Sequence, residues 1–197
     1  MLVRDNVAFI HPYKTGGTSI RNYLSNYGFV ECGEAHSCAR HHDINGYFVV
    51  SVIRPPHDRV VSIYHYLRGW KAPLMHIIKT RKLPKDTLID ANIMSFHNFV
   101  LKWGGRLGEQ YNFYIDINGN YVVDYMIRLP HADDDFSKLC EKIGVPQGKL
   151  PHKHKSGHRP DIRSYYTDET WNLVSNHFVN DMTEYEKWNK IHDGVLI

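Results

Sequence analysis

Cysteine is scarce, with three residues in 197: Cys32, Cys38 and Cys140. That supply makes no disulfide framework, and without a Cys-x-x-Cys pair it makes no zinc module. Excess charge is small too. The net charge of +3 suits an anionic ligand, but no long basic stripe or base-stacking motif points to nucleic acid. No apolar run approaches the roughly 20 residues of a membrane-spanning helix. Arg4 and Asp5 stand where the apolar core of a signal peptide would begin. The expectation is a soluble cytoplasmic protein, or a soluble domain of a longer one. What is present reads as globular: 42% hydrophobic and 13% aromatic residues, in a length that suits one domain over 1–197. Fourteen histidines will add positive charge below neutral pH.

The chain is organised around Phe9-Ile-His-Pro-Tyr-Lys-Thr-Gly-Gly-Thr-Ser-Ile20. Val7 to Ile10 is the short apolar run of a strand covered on both faces. Pro12 cannot donate to a ladder and ends it. Gly16 and Gly17 permit backbone conformations and close approaches that a side chain would block. Thr18 or Ser19 is the expected cap of a helix whose inner face carries Ile20, Tyr23, Leu24 and Tyr27. Strand, glycine-rich loop and helix start together present backbone N–H groups at the positive end of a helix. Lys14 adds a full charge, so the loop reads as an anion site. The plainer alternative is a strand–helix turn with a surface lysine. The loop is not of Walker A type, because its glycines follow the lysine instead of preceding it.

Tyr47 to Ile53 is the strongest strand and, being nearly all apolar, a candidate central parallel strand. It runs into Arg54-Pro-Pro-His-Asp-Arg-Val-Val-Ser-Ile-Tyr64, where Pro55 and Pro56 mark a strand end and a helix start and Asp58 suits the first turn. Val60, Ile63, Tyr64 and Leu67 give that helix a buried face. Arg54 at the strand tip and Ser62 about two turns into the helix make a fork and a hydroxyl for a phosphate. Alternatively, Arg54 pairs with an acid and Ser62 packs.

Lys-Thr-Gly-Gly-Thr-Ser after one strand, then Arg-Pro-x-x-x-Arg-x-x-Ser-x-Tyr after another, resembles the donor-binding pair of the sulfotransferase superfamily. Those enzymes use 3′-phosphoadenosine-5′-phosphosulfate (PAPS). The resemblance implies an α/β, P-loop-like three-layer fold with a central parallel sheet flanked by helices. It implies that Lys14, Thr15, Gly16, Gly17, Thr18 and Ser19 hold the 5′-phosphosulfate, and that Arg54 and Ser62 hold the 3′-phosphate. Pro55 departs from the Asp or Asn usual before the next proline. The second half is similar to the carbohydrate-type, family 2 branch, through Tyr114, Asn118-Gly119, Val123-Asp124-Tyr125, Asp135-Phe136, Gly144-Val-Pro146, Leu150-Pro-His152, Lys155-Ser156, Tyr165-Tyr166-Thr167 and Asp181. Lys155, Ser156 and Gly157 match further donor contacts. His154 stands where Asn is frequent, and Leu129-Pro130 where Glu is common. A His in a His-x-x-Ala setting after the second strand commonly faces the acceptor hydroxyl in the family; His36-Ser-Cys-Ala39 fits, which makes His36 the implied general base.

Several other segments carry plainer readings. Phe29 to Glu31 is a candidate second strand. His41 and His42 are adjacent, a poor spacing for a metal pair on a helix. Gly69 to Leu107 is expected to be mostly helical, with Ile89, Ile93, Phe96, Val100 and Trp103 as core or lid packing. Before it, Lys71, Lys79, Arg81, Lys82 and Lys85 form a basic patch that a solvated face explains. Phe113 to Ile127, turning at Asn118-Gly119, reads as a β-hairpin. Asp133, Asp134 and Asp135 open a helix rather than bind a metal. The segment from Leu150 to Pro160, rich in histidine and lysine, reads as a basic loop closing over an anion, not a metal site. Thr167 caps a last helical stretch in which Trp171, Val174, Phe178, Met182, Tyr185 and Trp188 face the core.

The function these features point to is transfer of a sulfuryl group from PAPS to an acceptor hydroxyl, with adenosine 3′,5′-bisphosphate (PAP) as product. The acceptor is expected to be a glycan or a small metabolite, and no metal is required. His36 would take the acceptor proton and Lys14 would meet the charge growing on the bridging oxygen. Two other classes fit part of the pattern: a non-catalytic protein that binds PAPS or another nucleotide, and a nucleotide kinase, which the missing Walker A order disfavours.

Overall fold

A computed structural model describes residues 1–34, 36–68, 85–150 and 161–195. Within them the chain is α/β, with one open five-stranded sheet and seven α-helices. In chain order the helices are α1 Gly17–Ser25, α2 Pro56–Arg68, α3 Lys85–Ile93, α4 Phe96–Trp103, α5 Ala132–Lys142, α6 Asp168–His177 and α7 Val179–His192. Among the described residues no helix is long and apolar enough to cross a membrane. The chain divides into two compact units. The first comprises Met1–Pro55, Glu109–His154 and Asn180–Ile197, the second Pro56–Gly108 and Lys155–Val179.

The first unit holds the sheet, in the order β3-β1-β2-β4-β5. The strands are β1 Leu2–Arg4, β2 Val7–Phe9, β3 Val30–Glu31, β4 Phe48–Ile53 and β5 Tyr125–Arg128. β4 runs parallel to both β2 and β5, as its apolar run predicts. The sheet as a whole is mixed, which corrects the expectation of a parallel one. β1 reverses through Asp5-Asn6 into β2, and a connection that short can only be antiparallel; β3 pairs antiparallel on the far side of β1.

Both faces of β4 are covered. Val50 and Val52 pack with Phe9 and Ile127 against Ile20 and Leu24 of α1 and Phe136 and Leu139 of α5. Val49 and Ile53 pack on the opposite side with Ile10, Met126, Tyr114 and Trp188 of α7. Each of these side chains is worth roughly 1.5–3 kcal/mol when fully buried.

The expected hairpin over Phe113–Ile127 is cut down to a tight turn at Asn118-Gly119 with its arms joined only briefly, by Val122 N–H to the Tyr114 carbonyl and Asp116 N–H to the Asn120 carbonyl, both at 2.9 Å. A single bridge joins Ile115 to Tyr121. The Asp116 carboxylate takes the N–H groups of Asn118 and Asn120 at 2.8 Å, which closes the loop locally before a ladder can extend. Tyr125–Arg128 is then released to pair with β4. β5 is the edge strand, yet two of its backbone groups are occupied by side chains. Met126 C=O accepts from His192 Nε2 at 2.8 Å, and Arg128 N–H donates to Asp135 Oδ2 at 2.9 Å. The Arg128 guanidinium also grips Asp135, through Nε and Nη2 at 2.9 Å. Asp135 thus opens α5 as predicted, but buried, as one half of an ion pair.

The second unit is helical. Val60, Ile63, Tyr64 and Leu67 line the buried side of α2, as their spacing predicts. Ser95 caps α4 by accepting from Asn98 N–H at 3.3 Å. The break this imposes between α3 and α4 shifts the helical register. Phe96, Phe99, Val100 and Trp103 are buried, whereas Ile93 is 74% exposed and Ile89 is exposed as well. These two do not belong to the core. Thr167 caps α6 through a reciprocal box with Thr170. His57 stacks on Trp171 with ring centroids 3.5 Å apart, and its Nε2 donates to the Trp171 carbonyl at 3.1 Å.

Candidate functional site

The loop between β2 and α1 is built around two strained or glycine-dependent positions. Lys14 has φ 65°, a left-handed conformation that a lysine rarely adopts. Gly16 has φ 83° and occupies the N-cap of α1, where no side chain caps the helix. The expected cap at Thr18 or Ser19 is therefore corrected: the helix starts at Gly17, and both residues lie in its first turn. Thr15 is fully buried and spends its hydroxyl inside the loop, donating to the Pro12 carbonyl at 2.7 Å. Ser19 N–H turns back to the Gly16 carbonyl at 3.2 Å. With no side-chain cap, the N–H groups of Gly17 and Thr18 at the start of α1 are donors that an anion could meet.

Arg54 reaches this loop. Its Nη1 donates to the Lys14 carbonyl at 3.1 Å, holding the strained residue from the tip of β4. The residue after the strand is itself held by Gln110. The Gln110 side-chain oxygen accepts from Arg54 N–H at 2.9 Å, and its amide nitrogen donates to the Arg54 carbonyl at 2.9 Å. Asp181, at the start of α7, fixes that glutamine. Its carboxylate accepts from the Gln110 backbone N–H at 2.9 Å, from Gln110 Nε2 at 3.1 Å and from Tyr111 N–H at 2.7 Å.

His36 closes the group from the segment after β3. It too is left-handed, at φ 59°. Its Nδ1 lies 3.2 Å from the His11 carbonyl. A carbonyl can only accept, so Nδ1 is the donor and carries a proton. The His11 ring meets the His36 ring edge-on at 4.5 Å. It also lies so close to Gly17 that a Cβ there would overlap it. His11 therefore couples His36 to the first residue of α1. Beside the two histidines, with Arg21, Glu31 and Gly33 in its wall, is a cavity of about 10 Å³, room for about one water.

Lys14, Thr15, Gly16, Gly17, Thr18, Ser19, Arg54 and His36 all lie in the first unit. Sequence reasoning missed His11 and Gln110 as members of this group; nothing in their local spacing marks them. Ser62 belongs to the second unit, where it is 1% exposed with a hydroxyl that makes no hydrogen bond. Lys155, Ser156 and Gly157 lie outside the described residues, as do His154 and the basic patch from Lys71 to Lys82. Among the described residues no group of three His, Cys, Asp or Glu is arranged to hold a metal.

No protein-family model matches the chain, and no curated protein is similar to it at a significant level.

Proposed function

We propose that the protein is a PAPS-dependent sulfotransferase, of P-loop-like three-layer fold, that sulfates the hydroxyl of a carbohydrate acceptor. The observation that carries this reading is the convergence on one loop of a helix start without a side-chain cap, the Lys14 backbone held by Arg54, and a histidine whose Nδ1 donates to the His11 carbonyl. The chemistry needs these parts. A base must accept the acceptor proton, a cation must meet charge on the leaving oxygen, and fixed N–H donors must hold the oxygens that do not react.

In this reading the N–H groups from Thr15 to Thr18 hold the sulfuryl and 5′-phosphate oxygens. Lys14 faces the bridging oxygen. The acceptor oxygen attacks sulfur in line while its proton passes to His36 Nε2; the bond between sulfur and the bridging oxygen breaks, and PAP leaves with the electron pair. In the neutral ring, the Nδ1 proton that the His11 carbonyl accepts leaves Nε2 as the nitrogen that takes the acceptor proton. Arg54 takes the 3′-phosphate.

Calorimetric titration with PAP, with AMP as control, tests the reading on the wild type and on Arg54→Ala. PAP is expected to bind at least about tenfold more tightly than AMP, the worth of a charge-assisted contact to the extra phosphate. Arg54→Ala should erase that preference. Equal binding of the two nucleotides by the wild type would exclude the sulfotransferase reading, and preference for ATP with magnesium would favour a kinase.

A further inference from the structure

We infer that Gln110 and Asp181 are positioning residues that set the nucleotide selectivity of the Arg54 site, an inference that rests on the function proposed above. Arg54 lies one residue past the end of β4, where the ladder has stopped. A residue there normally frays. Here the Gln110 amide replaces the missing strand, meeting both the N–H and the C=O of Arg54 at 2.9 Å. The pairing copies what a neighbouring strand would offer a single residue.

The amide cannot turn over without loss. Its nitrogen faces two acceptors, the Arg54 carbonyl and Asp181 Oδ2, and its oxygen faces a donor. Asp181 in turn is wholly buried and accepts three N–H groups, two from the backbone of Gln110 and Tyr111. Such charge-assisted bonds are the strong ones. The two residues therefore form a rigid chain from the first turn of α7 to the backbone of Arg54. Arg54 meets the Lys14 carbonyl and, in the proposed function, the 3′-phosphate, so loosening its backbone is expected to cost a nucleotide that carries a 3′-phosphate more than one that does not, and that difference separates a positioning role from a general structural one.

Gln110→Leu keeps the size of the side chain and removes both bonds to Arg54 together with the one to Asp181. Gln110→Glu keeps the acceptor for Arg54 N–H, loses the donor, and sets a second carboxylate beside Asp181. PAP and AMP are titrated into the full chain by calorimetry for wild type, both variants and Arg54→Ala. The expected result is that both glutamine variants lose about tenfold in PAP affinity while AMP affinity falls by much less. Retained AMP binding is also the check that the variants fold. Retention of the full preference for PAP in Gln110→Leu would overturn the inference and leave the proposed function standing. A parallel loss for both nucleotides would overturn it too, showing a structural role only. If the wild type itself does not distinguish PAP from AMP, the proposed function fails, and the inference falls with it.

Discussion

Lys14 and His36 share a backbone conformation that neither side chain favours, at φ 65° and 59°. Each left-handed position costs on the order of 1–3 kcal/mol and persists because its surroundings hold it. For Lys14 the holder is Arg54; for His36 it is the His11 carbonyl. Gly16 avoids that cost only because it has no Cβ, and a methyl group there would also overlap the Leu129 side chain. Gly16→Ala is expected to lower stability by about 1–2 kcal/mol in urea unfolding and to weaken PAP binding. His36→Ala should leave PAP affinity unchanged and reduce sulfuryl transfer by about 10²–10⁴-fold, read with labelled PAPS on a screened acceptor; near-normal transfer would remove His36 from the base role. The residues that bear charge or a special backbone were legible because their signal is local. Lys14, Gly16 and Gly17 sit within one loop, and Arg54 follows its strand directly. Gln110 was not legible. It acts on Arg54 from 56 residues away, and its own anchor Asp181 is 71 residues further on. No pattern in a single segment encodes such a pair.

Elements with a strong internal signal formed as the sequence predicts. β4, α2 and α6 each combine an apolar face with a start or stop signal of their own. The failures occurred where a side chain intervened. Asp116 drew the next backbone groups into a tight loop, and the hairpin stops at a single bridge. Ser95 divided one apparent helix into two and moved Ile89 and Ile93 out of the core. Asp135 shows the same dependence on tertiary context. Its place in the sequence reads as helix-dipole charge, yet it is fully buried and bonded three times by Arg128. Asp135→Asn removes the compensating charge from a buried arginine, and a loss of about 3 kcal/mol in chemical unfolding is expected. A loss below about 0.5 kcal/mol would mean that water reaches Arg128 freely. The Trp188 and Phe136 sides of the sheet should then melt together, since β5 and α5 are tied through this pair.

The molecule comprises a sheet unit carrying the candidate loop and a helical unit, and each holds a histidine whose burial opposes protonation, His42 in the first and His57 in the second. In the helical unit, burial holds the His57 imidazole below the ordinary histidine range, against the opposing hydrogen bond to Trp171 and with a smaller contribution from Arg163. The unfolded chain therefore binds the proton more readily than the folded one. His57 contributes stability that is fully present above its unfolded value of about 6.5 and is lost as pH falls below it. Melting temperature is expected to drop between pH 7 and pH 5, and His57→Gln should flatten that slope; an unchanged slope would assign it to other groups.

The sheet has two margins of unequal character. At β5, the Met126 carbonyl and the Arg128 N–H are already taken by His192 and Asp135. At the other margin, β3 is only two residues long and both are exposed. A further strand, from another copy or from a misfolded neighbour, finds no ladder to join at β5 unless it first displaces those side chains. Growth by strand addition is thereby confined to a margin too short to guide it, and the same contacts that lock Arg128 in place protect the molecule from polymerising along its sheet.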